Sequence, residues 1–321
     1  MYAIAINQGQ LDWVEHKTPE LGDTEVRIEV AWAGMNRADS LQRQGNYPPP
    51  PGASEIPGLE VSGVIGEVGQ HVTRFKPGDR VCALLAGGGY AEHVIVSQQQ
   101  VLPVPDSLSL RDAAAVPEVF ATAWLNLFME AKATPGERIV LHAGASSVGT
   151  AAIQLCKSLG NPCFVTAGSD EKIKACIELG AEDGANRHSE NLVERITQWG
   201  GADVVLDPVG GDYLTKNQQI LNQDGRLVMI GVMGGTKETL DLATLLFKRQ
   251  RVIGSTLRSR PEDQKGAILK EMQSYVWPRL ENGEITPVID REWPIEQAQE
   301  AMTYMESNGG MGKILLKVAE R

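Results

Sequence analysis

From about residue 120 the sequence alternates β-branched runs with amphipathic runs, and few architectures accept that rhythm. "RIVLHAG", "PCFVTAG", "ADVVLDPVGG", "GRLVMIGVMGG" and "RVIGSTLRSR" read as buried strands, most of them ending on glycine. "SVGTAAIQLCKSLG" and "SDEKIKACIELG" read as helices between them. The first of these helices carries Val148, Ala152, Leu155 and Leu159 on one face and stops at Gly160, with Pro162 just beyond. Successive βα units imply an α/β fold with a doubly wound parallel sheet and right-handed crossovers.

The first ~110 residues read differently, as β-rich. In "EVRIEVAW" Val26, Ile28, Val30 and Trp32 alternate with polar residues, the pattern of a half-buried strand. "SGVIGEVG", "DRVCALLAGGG" and "YAEHVIV" are further short strands, interrupted by glycine and by "KPGD". "NYPPPPG" is an extended loop, since its prolines suit neither a helix nor a central strand. After a helix over 261–282 and a second near "IEQAQEAMTYME", the chain closes on the strand "GKILLKV". A last strand must pair with something, and the β-rich first region is its natural partner.

Composition narrows the function. The 321 residues carry a formal charge of −11, so the global field repels nucleic acid and anionic membranes. No apolar run approaches a membrane span, and the N-terminus lacks the features of a signal peptide. Four scattered cysteines without a CxxC pair argue against a disulfide scaffold and a zinc cluster, which makes a reducing cytoplasm the expected location.

Between its strand and its helix, the loop Gly144-Ala145-Ser146-Ser147-Val148-Gly149 has the context of a dinucleotide fingerprint. Gly144 permits the turn and Gly149 the close packing of helix on strand. Ser146 stands where the backbone approaches pyrophosphate, and its hydroxyl can itself donate to a phosphate oxygen. The N–H groups of Ser147 and Val148 open the helix and complete an anion site. An NAD site would place a carboxylate at the end of the next strand. Here Gly168 and Ser169 occupy that position, and Lys172 follows in the first helical turn. A cation there opposes the helix dipole unless it faces an anion such as a 2′-phosphate. Ser169 caps the helix, binds that phosphate, or does both. Arg187 adds charge or stacks on adenine. These residues favour NADPH over NADH.

"GMNRADSLQRQGNYPPPPGASEIPGLEVSG", "GERIVLHAGASSVGTAAIQLCK", "TAGSDEK" and "LLFKRQRVIGSTLRSR" together resemble the zinc-free medium-chain dehydrogenase/reductases of the quinone oxidoreductase type. Within that group the tumour-suppressor-inducible branch is the most similar. The resemblance implies a GroES-like catalytic domain from residues 1–120, with 260–321 returning to it, and a Rossmann NADPH-binding domain from 121–259. It places NADPH and an electrophilic substrate in the cleft between them, and it implies a homodimer formed through Rossmann edge strands such as "RVIGSTL". Zinc members of the superfamily present a cysteine and a histidine where this chain has Asn36 and Leu59. Soft ligands are therefore missing, and no metal is expected. Without a Lewis acid, quinones or activated enones are better acceptors than alcohols are substrates.

By the same resemblance, Asn36, Tyr47 and Thr122 stand beside the nicotinamide and the substrate. An amide or a phenol can hydrogen-bond a quinone oxygen that gains charge. Equally, Asn36 can serve its own turn, Tyr47 can plug the prolines, and Thr122 can be a helix-interior residue. Gly210, Gly231, Met233 and Gly234 follow strands on the cofactor edge, and Leu257, Arg258 and Ser259 resemble the stretch that grips the carboxamide. Asp39 and Glu60 read as members of ion pairs, with Arg37 and Arg43 as partners. Lys313 is a further candidate for the cleft, while His142 reads as buried rather than catalytic. The expected function is zinc-independent, NADPH-dependent reduction of quinones. An enone or enoyl-thioester reductase of the same superfamily is the alternative, and a non-catalytic NADPH-binding protein is the alternative of another class.

Overall fold

The computed structural model describes residues 1–320. The chain forms two compact units, Met1–Ala121 joined by the segment from Leu257 onward, and Thr122–Thr256. In chain order the first segment runs β1 (Tyr2–Asn7), β2 (Gln10–Glu15), β3 (Glu25–Met35), α1 (Arg37–Arg43), β4 (Glu60–Val68), β5 (Arg80–Leu84), β6 (His93–Ser97), β7 (Val101–Pro103) and α2 (Leu110–Ala113). After α3 (Pro117–Trp124) come β8 (Ile139–Leu141), α4 (Ser147–Leu159), β9 (Cys163–Ala167), α5 (Asp170–Leu179), β10 (Asp183–Asn186) and α6 (Leu192–Trp199). β11 (Ala202–Asp207), α7 (Tyr213–Ile220), β12 (Leu221–Met229), α8 (Leu242–Phe247) and β13 (Arg251–Gly254) complete the second unit. The return segment adds α9 (Glu262–Glu281), β14 (Ile289–Pro294), α10 (Ala298–Glu306) and β15 (Lys313–Lys317).

The second unit is one parallel sheet of six strands in the order β10-β9-β8-β11-β12-β13. Numbered within the unit, that order is 3-2-1-4-5-6, the doubly wound Rossmann arrangement, with its switch point between β8 and β11. Helix α4 carries the expected C-terminal signal, since Gly160 caps it at φ 74°. Its burial is wider than a single stripe. Every residue from Gly149 to Cys156 is buried, because the helix packs against the sheet and against α5.

In the β-rich unit the seven-stranded sheet runs β14-β15-β3-β4-β5-β7, with β6 also paired to β3, and β1 and β2 form a hairpin. β15 lies antiparallel to β3, Ile314 opposite Met35, so the last strand does join the first region. The alternation in β3 holds as far as Val30 and then breaks. A register irregularity between Val30 and Trp32 turns Ala31 and Ala33 inward and leaves Trp32 half-buried. A bulge of this kind shifts the inward face by one residue, which an alternating pattern does not announce. All four cysteines are free and buried. Among the described residues no helix is long and apolar enough to cross a membrane.

Between α3 and β8 the chain makes a π-helical stretch, Leu125–Glu130. Arg226 of β12 anchors its exit. The guanidinium donates from Nε to the Ala131 carbonyl at 2.9 Å and from Nη1 and Nη2 to the two Glu137 carboxylate oxygens at 2.7 and 2.8 Å. Those bonds from Arg226 hold the Glu137 carboxyl below the usual glutamate range. The pair's contribution is therefore present above the ordinary glutamate range and lost as pH falls through the lowered value. Arg226→Met is expected to cost about 3–5 kcal/mol near neutral pH, because it leaves Glu137 and a buried carbonyl unpaired. A fall in the urea midpoint at unchanged slope would report it, and the difference should shrink on acidification.

Candidate active site

In the parallel-sheet unit, β8 ends at Leu141 and the glycine loop follows directly into α4. A Cβ on Gly149 would lie 2.4 Å from the Gly144 carbonyl oxygen, and one on Gly144 would lie 2.6 Å from Val165 Cβ. The loop is thus closed onto the helix and onto β9 with no room for side chains. Ser146 is the N-cap of α4, its Oγ accepting from Gly149 N at 3.1 Å. That bond uses a lone pair and leaves the hydroxyl proton free to donate. Ser147 and Val148 occupy the first helical turn, where N–H groups have no acceptor within the helix. Two or three donors therefore converge beside glycine backbone, the chemistry of a phosphate cradle.

One strand along, β9 ends at Ala167. Ser169 caps α5, accepting from Lys172 N at 3.3 Å, and its hydroxyl also serves the Glu171 carboxylate. Asp170, the nearest carboxylate in sequence, accepts from Asn186 Nδ2 at 2.7 Å. Arg187 folds over Gly168, with Nη2 3.3 Å from where a Cβ would stand. The structure thus brings Gly168, Ser169, Lys172 and Arg187 to neighbouring strand ends. Gly210 and Gly211 follow β11, and Gly231, Met233 and Gly234 follow β12. These two loops meet at a bridge between Gly210 and Gly235, and Gly234 N donates to the Val209 carbonyl at 2.7 Å. Met233 is exposed.

A buried polar chain crosses the switch point. Asp207 accepts from the backbone N–H of Val209 and Gly210 at 2.6 and 3.0 Å and from Asn217 Nδ2 at 3.0 Å. His142 bridges Asn217 Oδ1 and Thr166 Oγ1 at 2.7 and 3.0 Å. Burial lowers the His142 pKa, with Asp207 pulling it back up, so the ring is a neutral structural bridge. The reading of His142 as buried rather than catalytic agrees with this.

In the β-rich unit, Asn36 is the N-cap of α1 and is fully engaged. Its Nδ2 donates to Glu60 Oε1 at 3.0 Å and to the Gly34 carbonyl at 3.3 Å, and its Oδ1 accepts from Lys313 Nζ at 2.7 Å. Both amide hydrogens are committed, so Asn36 acts here through what it holds. Glu60 pairs with Lys313 at 2.6 Å, the two side chains being 0% and 1% exposed. This corrects the expected partners. Arg37 instead reaches the Met305 carbonyl and Asn308, and Arg43 reaches the Gly9 carbonyl and Glu306. Asp39 accepts from Asn36 N, Gly58 N and the Tyr90 hydroxyl.

Tyr47 is half-buried in the proline-rich loop. Arg258, 3% exposed, donates to the Ala86 carbonyl at 2.8 Å and Gln42 Oε1 at 2.6 Å, and its guanidinium lies 5.2 Å from the Tyr47 ring centre. Burial raises the phenol's pKa, Arg258 lowers it and Glu118 raises it, the net shift being upward. Leu257 is buried and Ser259 exposed. Thr122 is half-buried in α3, its carbonyl accepting from Asn126 Nδ2 at 2.8 Å. Sequence reading passed over Glu118 and Lys265. Glu118 begins a helix after proline and Lys265 stands in a run of polar residues, so neither carries a motif.

Comparisons with known proteins agree with this architecture. Residues 22–106 match the alcohol dehydrogenase GroES-like domain, and residues 147–274 match the zinc-binding dehydrogenase domain. Quinone oxidoreductase-like protein 2 of Bos taurus is 32% identical over 310 residues, covering 95% of this chain and 88% of its own. The crystal structure of Escherichia coli quinone oxidoreductase complexed with NADPH superposes with a TM-score of 0.89 at 28% identity, covering 99% of this chain and 100% of that one. The CurK enoyl reductase superposes at 0.86 with 26% identity, covering 99% of each chain.

Gly149→Ala is expected to force the loop off the helix, because the added methyl meets backbone rather than a movable side chain. A loss of about 1–3 kcal/mol in denaturant unfolding is the expected outcome. An unchanged unfolding midpoint would show that the loop is not closed onto α4 as described.

Proposed function

The chain belongs to the medium-chain dehydrogenase/reductase family, among its quinone oxidoreductase-like members, and on that premise we propose that it carries out zinc-independent, NADPH-dependent reduction of quinones. The carrying observation is the end of β9, where Gly168, Ser169, Lys172 and Arg187 gather and Asp170 is held by Asn186. A cationic strand end suits a 2′-phosphate better than free ribose hydroxyls. The cradle of Gly144, Ser146, Ser147, Val148 and Gly149 fits the pyrophosphate, since a Cβ at either glycine would fill it. A bound nicotinamide supplies the hydride, and the protein's part is to bind and orient. Gly210, Gly231, Met233 and Gly234 line strand ends on the same edge of the sheet and are assigned to the nicotinamide half. Leu257, Arg258 and Ser259 are assigned beside it, with Arg258 as the residue that fixes the proline-rich loop. Tyr47, whose phenol keeps its proton, donates to the acceptor oxygen as it gains charge. Asn36 positions Glu60 and Lys313, and Thr122 completes the group. Asn36 and Leu59 offer no soft ligand for zinc, which supports an acceptor already electrophilic enough to need none.

The E. coli relative with NADPH supports the cofactor, and the CurK likeness keeps an enone or enoyl thioester as the second acceptor class. A homodimer is also proposed. β13 is an edge strand of the parallel sheet, and beside it Leu246 and Phe247 are 71% and 77% exposed. Unpaired strand edges and large exposed apolar residues both call for cover. The acceptor is a small molecule, without nucleic acid or membrane as partner, and the assigned compartment is the cytoplasm.

Turnover of 1,2-naphthoquinone, followed by nicotinamide absorbance, is expected with NADPH and little with NADH. Lys172→Glu should raise KM for NADPH about 10- to 100-fold while leaving kcat near the parent value, the loss of one charge-assisted contact. Equal use of both cofactors would remove the phosphate-site reading. Turnover of an enone alone would favour the second acceptor class, and tight NADPH binding without turnover of either would favour a binding protein. Phe247→Asp is expected to convert a dimer to a monomer in sedimentation velocity. A monomeric parent would end the dimer reading.

A further inference from the structure

Just past β10 stands a cation whose acceptor is a neutral imidazole. Arg187 Nε donates to His188 Nε2 at 3.2 Å. A guanidinium has donors only, so Nε2 is the unprotonated ring nitrogen and His188 is neutral in this arrangement. Both groups lean over the end of β9. From the place where a Cβ on Gly168 would stand, Arg187 Nη2 lies at 3.3 Å, Arg187 Cζ at 3.5 Å and His188 Nε2 at 3.7 Å. Backbone bonds hold the pair there. Arg187 N donates to the Ala167 carbonyl at 3.0 Å, and His188 N donates to Asn186 Oδ1 at 3.1 Å. Both side chains are exposed, so a ligand can reach them.

The carboxylates of the neighbouring elements have other partners. On α5, Asp170 accepts from Asn186 Nδ2 at 2.7 Å, Glu171 is served by the Ser169 hydroxyl, and Glu178 lies 3.9 Å from Lys174. Lys172, in the first turn of the same helix, adds a further cation. Beyond β10, Glu190 accepts from Asn186 N at 2.7 Å and pairs with Arg195 of α6 at 2.9 Å. Arg195 also reaches Asp183 at 3.2 Å, and Glu194 of α6 accepts from Gln198 Nε2 at 3.2 Å. On α7, which packs against α6, Asp212 pairs with Lys216 at 2.6 Å beside Tyr213. Arg187 is therefore left with a neutral acceptor where a cation ordinarily finds a carboxylate. An anionic oxygen is the stronger acceptor for the same N–H.

We propose that His188 is a proton-linked member of the 2′-phosphate site: Arg187 passes its Nε–H from the imidazole to a phosphate oxygen, and His188, released beside the dianion, takes up a proton at Nε2 and donates it to the phosphate. The proposal rests on the reading of this strand end as a 2′-phosphate site and adds to it a residue and a proton. The proton comes from solvent. The Nε2 lone pair that accepted from Arg187 forms the new N–H bond, and the imidazole becomes an imidazolium. The site thus gains one positive charge as it receives a dianion. Histidine is the side chain whose charge changes between about pH 5 and 8, so the linkage falls near neutral pH. A phosphate monoester has its second pKa at about 6, and binding to cations makes it release the little proton it still holds. Uptake at His188 and release from the phosphate have opposite signs, which separates them.

The test is calorimetric titration of the full chain with adenosine 2′,5′-bisphosphate and, in parallel, adenosine 5′-monophosphate. These probes carry the adenosine half alone and need no acceptor. Repeating each titration at pH 7 in buffers of different ionisation enthalpy counts the protons exchanged. The parent should bind the bisphosphate more tightly than the monophosphate, with a net proton uptake that the monophosphate does not show. His188→Gln keeps a side-chain acceptor for Arg187 but cannot ionise, so its uptake should give way to a small release. From pH 8 to pH 6 the parent's preference for the bisphosphate should rise about 3- to 5-fold, the effect of one added exposed charge pair. In His188→Gln that preference should stay level or fall. A merely structural role for His188 would not move the proton count. Net release by the parent, or an uptake that survives in His188→Gln, would overturn the proposal and leave the 2′-phosphate reading intact. Equal affinity of the parent for the two nucleotides would end that reading and this inference with it.

Discussion

One buried cation organises the β-rich unit. Lys313 opens β15 with its ammonium 1% exposed, and three acceptors surround it: Glu60 Oε1, Asn36 Oδ1 and the Met35 carbonyl. Desolvating such a pair offsets most of its Coulomb attraction, so its contribution lies less in net stability than in register. A slip of one residue in β15 would turn Lys313 to the other face and leave Glu60 alone in the interior. The pair therefore fixes the last strand of the chain against β3, Ile314 opposite Met35.

From that point the constraint spreads through hydrogen bonds. Asn36, held by Lys313 and Glu60, caps α1, and Asp39 in the first turn accepts from Asn36 N–H at 2.8 Å. Asp39 also gathers Gly58 N and the Tyr90 hydroxyl. Burial raises the Asp39 pKa, and those three donors pull it part of the way down. Gly58 holds φ at 103° while its N–H serves Asp39, and an added Cβ there would strike Tyr90. Arg258, further along the chain, bonds Gln42 and Ala86 and reaches the proline-rich loop at the Tyr47 carbonyl, 3.4 Å away.

Local chemistry was legible in the sequence, and distant partnership was not. The glycine loop, the cap at Gly160 and the strand ends follow from residue types at short spacing, so the parallel sheet and the tight turn into α4 were readable. The break in β3 was not, because a bulge after Val30 depends on how the neighbouring strands pair. The partner of Glu60 was sought among the arginines of α1, close in sequence, whereas it lies 253 residues away on the closing strand. Arg258 was read as a cofactor contact because its stretch resembles the one that grips the carboxamide edge. The bonds of its side chain to Gln42 and Ala86 of its own unit were not legible, because those partners lie far away in sequence. Glu118 and Lys265 gave no local signal at all. Only tertiary burial distinguishes an unpaired glutamate from a solvated one.

The two units meet opposite electrostatic demands within a chain of net charge −11. On the proposed reading the parallel sheet accepts an anion through helix N–H groups, Lys172 and Arg187 at its strand ends, while Asp170 and Glu171 are occupied by Asn186 and Ser169. The β-rich unit does the reverse and keeps a carboxyl neutral. Four acidic or basic side chains crowd Glu118, and the sign of their sum depends on which cation is already used. Lys313 bonded to Glu60 cancels much of both charges, so burial prevails at Glu118. A Lys313 facing Glu118 directly would instead ionise it and remove a proton from the interior. The ion pair that sets the register of the last strand also holds the start of α3, because Glu60 Oε2 accepts from the Glu118 backbone N–H at 2.9 Å.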